Sequence, residues 1–155
     1  MNLKERLRAD LTASMKARDE TRKSTLRMVL SAITNEEVSG DTARELTDPE
    51  VVTVLAREVK KRKESAEAFA AAGRSELAER EEAESAVISE YMPQQLTDEE
   101  LDDIVGAAIF DVQTITGQPP TMKQMGQVIK AAQAEAAGRA DGKRISTAVK
   151  AALSQ

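Results

Sequence analysis

The sequence predicts an all-α protein, with an N-terminal four-helix unit followed by a smaller C-terminal three-helix unit. Three observations carry that expectation. Ala, Glu, Lys and Arg are abundant in a 155-residue chain with only seven Gly and four Pro, a composition that favours helix over strand. Apolar residues recur at three- and four-residue spacing along most of the chain. No stretch alternates apolar and polar residues as a half-buried strand does.

Each helix has its own signal. Leu3, Leu7, Leu11 and Met15 lie four apart on one face of a first helix. Leu26, Leu30 and Ile33 mark a second, starting near Glu20 and broken around Ser39-Gly40-Asp41. Thr47-Asp48-Pro49-Glu50 opens a third. Thr47 caps it, Glu50 completes the reciprocal box, and Pro49 sits in the first turn, where no amide donor is needed. That helix is expected to run to about Ala72, with Val51, Val52, Leu55, Val59, Ala66 and Phe69 inward and Gly73 as the stop. A fourth spans roughly Ser75 to Tyr91, with Leu77, Val87, Ile88 and Tyr91 apolar.

Residues 1–91 thus form the first expected domain. Met92-Pro93-Gln94-Gln95 reads as a linker, because Pro93 biases Met92 away from helical geometry. Residues 96–155 form the second domain. There Thr97 and Glu100 make another capping box, ahead of the stripe Leu101, Ile104, Val105, Ala108, Ile109 and Val112. This fifth helix ends at Gly117, with Pro119 and Pro120 beyond. Thr121 caps a sixth that continues to about Ala137 and closes at Gly138. Asp141 caps a seventh, with Ile145, Val149, Ala152 and Leu153 on one side. At about 60 residues the second domain is near the lower limit for an independent core.

Composition excludes several chemistries. The chain has no Cys and no His, so it has no disulfide, no Cys/His zinc site, no thiol nucleophile and no imidazole base. The start, MNLKERLRAD, is charged throughout and lacks an apolar segment. No apolar run reaches the roughly 18 residues of a membrane span. A cytoplasmic protein without signal peptide or membrane span is expected. The residues assign no catalytic group, no metal and no cofactor. Acidic clusters such as Glu79 to Glu84 have neither a nucleophile nor a pocket beside them.

The segment Gly138-Arg139-Ala140-Asp141-Gly142-Lys143-Arg144-Ile145-Ser146 resembles a phosphate-binding loop only superficially. A Walker loop needs four residues between its glycines and a hydroxyl after its lysine. Here three residues separate Gly138 from Gly142, and Arg144 follows Lys143. A helix boundary explains the segment better, with Gly138 ending one helix and Asp141 capping the next. It leaves Arg139, Lys143 and Arg144 unexplained. Cations at a helix N-terminus are mildly unfavourable, so they point either to an anionic partner or to solvated charge. Around them the balance shifts. Residues 92–111 carry six acidic side chains and no basic one, whereas residues 112–155 carry six basic and two acidic. The formal charge of the whole chain is −5, so the last two helices are a basic region on an acidic protein. Lys123, Lys130, Arg139, Lys143, Arg144 and Lys150 are the candidate phosphate contacts. Lys143 and Lys150 stand two turns apart on one side of the seventh helix. Gly126, Gly138 and Gly142 are expected to allow close approach of helices or of ligand to backbone. Aromatic residues total 2%, and Phe69 and Tyr91 belong to apolar stripes. Base stacking is therefore poorly provided for, and a bound RNA is expected to be folded. The run Arg57, Lys60, Lys61, Arg62 and Lys63 is a second basic site; interleaved with Glu58 and Glu64, it reads first as a solvated face with pairs such as Glu58–Arg62, and a binding role is the lesser alternative.

Five segments in order resemble the GatB/YqeY family. They are Met15-Lys16-Ala17-Arg18-Asp19, Thr25 to Ile33, Glu90-Tyr91-Met92-Pro93-Gln94-Gln95-Leu96, Met125-Gly126-Gln127-Val128-Ile129-Lys130, and Gly138-Arg139-Ala140-Asp141-Gly142-Lys143. The resemblance covers about residues 3–153, with Met92 where Leu is usual. It implies a stand-alone relative of the helical tail of the B subunit of the aspartyl/glutamyl-tRNA amidotransferase, a carbon–nitrogen ligase with glutamine as amido donor. That tail contacts tRNA, while catalysis resides in other parts of the enzyme. The implied function is a non-catalytic tRNA-binding module, with Gly126, Lys130, Gly138, Arg139, Asp141, Gly142 and Lys143 at the matching positions. Two alternatives stand beside it: a protein–protein adaptor without RNA, and an accessory component of the ligase active only in a complex.

Overall fold

The computed structural model describes residues 1–154. Among them are seven α-helices, one 3-10 turn and no strand. Among the described residues no helix is long and apolar enough to cross a membrane. By contacts the chain divides into two compact units, Met1–Met92 and the residues from Pro93 onward.

The first unit holds α1 (Leu3–Ala17), α2 (Glu20–Glu37), α3 (Asp48–Ala71) and α4 (Ser75–Ser89). Asn2 and Glu5 form a reciprocal capping box at the start of α1, and Arg18, at φ 56°, ends it in left-handed geometry. The next residue, Asp19, already caps α2 through the Arg22 amide. Thr47 and Glu50 cap α3 as their spacing predicts. The α4 helix stops at Ser89, two residues short of the expected Tyr91. Tyr91 and Met92 donate instead to carbonyls three residues back, at 3.0 and 3.1 Å, a tightening that lets the chain leave helical geometry before Pro93.

Leu7, Leu26, Val29, Ile33, Val51, Leu55, Ile88 and Tyr91 form the centre of this unit's core. Each large aliphatic side chain among them contributes about 1.5–3 kcal/mol by burial. The expected stripes differ in detail. Met15 is half exposed, Val54 is buried, and Val52, Val59 and Phe69 are only partly so. Four-residue spacing drifts around a helix with 3.6 residues per turn, and Met15 lies at the far end of that drift.

The second unit holds α5 (Asp98–Thr116), a 3-10 turn (Met122–Gln124), α6 (Met125–Ala136) and α7 (Gly142–Leu153). Leu101, Val105, Ala108 and Val112 face Val128, Ala132, Ala136, Ile145 and Val149 in a core without aromatic side chains. The expected single helix from Thr121 is in fact two pieces. Thr121 and Gln124 cap the 3-10 turn reciprocally, and α6 begins at Met125. Its end also differs. Ala137 at φ 49° and Gly138 at φ 82° are both left-handed, so closure takes two residues.

Candidate nucleic-acid interface

The cationic corner is built by the entry of α7. Asp141 accepts the Arg144 amide at 2.7 Å, satisfying one of the free donors of the first turn. Ile145 and Val149 anchor the opposite side of the helix in the core. That leaves Lys143 and Lys150 exposed. Lys150 lies in the last turn, where a cation is favoured by the helix dipole.

Two of the six candidate cations already have work inside the protein. Arg139 Nε donates to the Gln94 carbonyl at 2.9 Å, and its carbonyl accepts the Leu96 amide at 2.8 Å. Arg144 Nη2 donates to the Leu96 carbonyl at 2.9 Å and to Asp98 Oδ1 at 3.0 Å. Gln95 Nε2 reaches the Gly138 carbonyl at 3.4 Å. The turn between α6 and α7 is thereby bonded to the strand-like entry into α5. The two arginines were expected beside the lysines as phosphate contacts. Their first role is to hold residues 94–98, although part of each side chain stays exposed.

The lysines differ. Lys123, Lys130, Lys143 and Lys150 are exposed, and the ion pairs among the described residues of this unit, Arg139–Glu100 and Arg144–Asp98, include none of them. Lys143 and Arg144 line a shallow groove of about 360 Å³ with Thr147, Asp98, Asp102 and Asp141. Lys123 on the 3-10 turn and Lys130 on α6 lie outside it. Three carboxylates line the groove, which makes it unsuited to a buried phosphate. Asp141 is committed to the cap and Asp98 to Arg144. A polyanion would therefore meet the lysines on the outer surface.

The three glycines separate as well. Gly138 is required by its φ of 82°. A Cβ at Gly126 would meet nothing within 4 Å, and one at Gly142 would only touch Gln133 at 3.9 Å. No helix packs closely on Gly126, and both positions leave the backbone open to a ligand.

Sequence reasoning missed the most buried charge. Arg62, in the run expected as a solvated face, is 3% exposed. The expected partner Glu58 is present at 3.3 Å, and Glu84 from α4 adds a second carboxylate at 3.1 Å. Glu84 thus belongs to a partly buried ion-pair cluster rather than to solvent. Elsewhere, backbone donation from Thr97 holds the Glu100 carboxyl below its ordinary range. Among the described residues no group of three or more acidic side chains is arranged to hold a metal ion.

Comparison with known proteins bears on these features. A family model described as Yqey-like protein matches residues 4–153. The chain is 36% identical over 88 residues to "Altered inheritance of mitochondria protein 41, mitochondrial" of Lachancea thermotolerans, covering 57% of this chain and 46% of that protein. The protein of the same description in Saccharomyces cerevisiae is 36% identical over 98 residues, covering 62% and 51%. An uncharacterized protein of Schizosaccharomyces pombe is 37% identical over 93 residues, covering 60% and 74%. The chain spans about half the length of the two mitochondrial proteins.

Proposed function

The chain belongs to the Yqey-like family, and on that premise we propose that it is a non-catalytic helical module that binds folded tRNA through the lysines of its last two helices and of the 3-10 turn before them. The observation that carries the reading is the division of labour among its cations. Arg139 and Arg144 hold residues 94–98, while Lys123, Lys130, Lys143 and Lys150 stand exposed without an acidic partner among the described residues. Flexible, hydrated ammonium groups suit phosphates whose positions vary around a folded RNA. Of the three aromatic side chains only Phe110 is largely exposed, too little for a single-strand stacking platform. The proposal places the module in the cytoplasm. Fungal relatives carry a mitochondrial designation, and cell fractionation distinguishes the two compartments.

The test is tRNA affinity measured between about 50 and 200 mM salt. Four phosphate contacts give a log–log slope of roughly −3 to −4. Lys143→Gln with Lys150→Gln should weaken binding and flatten the slope by about one unit per lysine. Unchanged affinity and slope in that variant would remove α7 from the interface. The adaptor reading stands second, favoured by Phe110 and Ile115, which are 68% and 83% exposed on α5.

A further inference from the structure

The first unit carries a groove that its own core does not fill. It runs between α2 and α3 and encloses about 690 Å³. Val54, Ala32 and the half-exposed Met28 form its apolar lining, and Arg27, Arg57 and Lys61 stand at its edges. Its acids are already engaged. Glu36 pairs with Arg57 at 3.1 Å, and Glu58 pairs with the buried Arg62 at 3.3 Å. Arg27 and Lys61 have no carboxylate partner among the described residues; Arg27 reaches only the Met15 sulfur, at 3.9 Å. A trough that joins this apolar lining to the polar side chains of Ser31, Asn35 and Ser39, with two unpaired cations at its edges, suits an amphipathic helix with acidic edges.

The second unit offers a helix face of that chemistry. On α5, opposite the buried stripe of Leu101, Val105, Ala108 and Val112, the outer side carries Asp103, Gly106 and Phe110. Asp102 and Asp111 flank it. All of these are exposed, and none of the three aspartates is ion-paired among the described residues. Gly106 is the second signal. Mid-helix glycine costs about 0.5–1 kcal/mol relative to alanine, and a Cβ there would meet nothing within 4 Å. Packing around α5 leaves the position open, and the bare backbone there gives another helix room to approach closely. The lengths agree too: Arg27 to Glu36 and Asp102 to Asp111 each span about 14 Å along a helix.

We propose that the acidic, Phe110-bearing face of α5 in one copy docks into the basic α2–α3 groove of a second copy. Phe110 enters the trough beside Met28, and the aspartates meet Arg27 and Lys61. Reciprocal docking closes a two-fold pair, and one-way docking builds an open chain.

Sedimentation equilibrium of the full chain without nucleic acid, over rising concentration and at two salt concentrations, tests this. Reversible association that weakens with salt is expected. Phe110→Ala should raise the dissociation constant about thirtyfold, as removal of a central aromatic anchor does. Arg27→Glu with Lys61→Glu should do the same, and adding Asp102→Lys with Asp103→Lys should restore association. Every altered side chain is exposed, so circular dichroism serves as the check that each variant is folded. A protein that stays monomeric at its highest soluble concentration overturns the proposal. So does association that withstands the charge reversal, or that is lost to the reversal but indifferent to Phe110→Ala.

Discussion

Tyr91 closes the first unit, 5% exposed, with its hydroxyl donating to Asp10 and the Arg6 guanidinium 4.9 Å above its ring. Burial first, and then the bond to the Asp10 carboxylate, push its phenol up to about 12 from 10.0. The folded value exceeds the unfolded one, so this contribution to stability is complete below pH 10.0 and is lost as pH rises towards about 12. Tyr91 is the only tyrosine, so tyrosinate absorbance reads it alone. The midpoint should lie near 12 in the folded protein and near 10 in urea, and Asp10→Asn should lower the folded midpoint. A folded midpoint at the ordinary value would show that the ring is solvated. The apolar stripe of α4 already placed Tyr91 inward, but its partner comes from α1, and nothing local announces Asp10. Arg62 teaches the same lesson. Its pair with Glu58, one turn back, is legible in the spacing. Its burial depends on Glu84, 22 positions away. A partly buried pair needs such extra compensation, which a solvated one does not.

Helix starts were legible because caps are local chemistry. Thr47, Thr97 and Asp141 all cap as their spacing predicts, each accepting an amide within three residues. One start and one end were less legible. The expected Thr121 helix begins as a 3-10 turn, and α6 closes over Ala137 as well as Gly138. Alanine in left-handed geometry costs roughly 1–2 kcal/mol, a cost that propensity alone argues against and that packing of Ala136 and Ala140 into the core offsets. Two substitutions test this scale in opposite directions. Asp141→Ala should destabilise the protein by about 1 kcal/mol through loss of the cap. Gly106→Ala should stabilise it by about 0.5–1 kcal/mol, because the added methyl meets open space. Chemical denaturation of both variants, at protein concentrations too low for self-association, measures the pair, and a loss of stability in Gly106→Ala there would mean that α5 is packed on its outer side within its own chain.

Across the molecule, charge sets the pH range of stability. Glu37, Glu50 and Glu100 all have lowered pKa values. The bond from Lys4 dominates at Glu37, and backbone donors of capping boxes dominate at Glu50 and Glu100. Folded values below the unfolded 4.5 mean that their contribution is present above pH 4.5 and is lost as pH falls through the folded values. Thermal melts should therefore show a falling midpoint below about pH 4.5, and Glu37→Gln should flatten that decline. A midpoint independent of pH down to 3, on the order of a full unit below the usual glutamate value, would refute it. The basic region was legible as a count of side chains. Which cations stay free was not, because the Arg139 and Arg144 bonds run to residues 94–98, more than 40 positions away.

Helical class, helix starts and the excess of lysine and arginine near the C-terminus follow from short-range rules: propensity, periodicity of 3.6 residues and capping within four residues. Tertiary packing alone chose which charges are buried, which glycines have room beside them and which helix faces remain open. Arg62, Gly106 and the α2–α3 groove are outcomes of that packing. The physical reason is range. A cap or a stripe acts within a few residues, whereas desolvation and ion pairing depend on atoms brought together from distant parts of the chain.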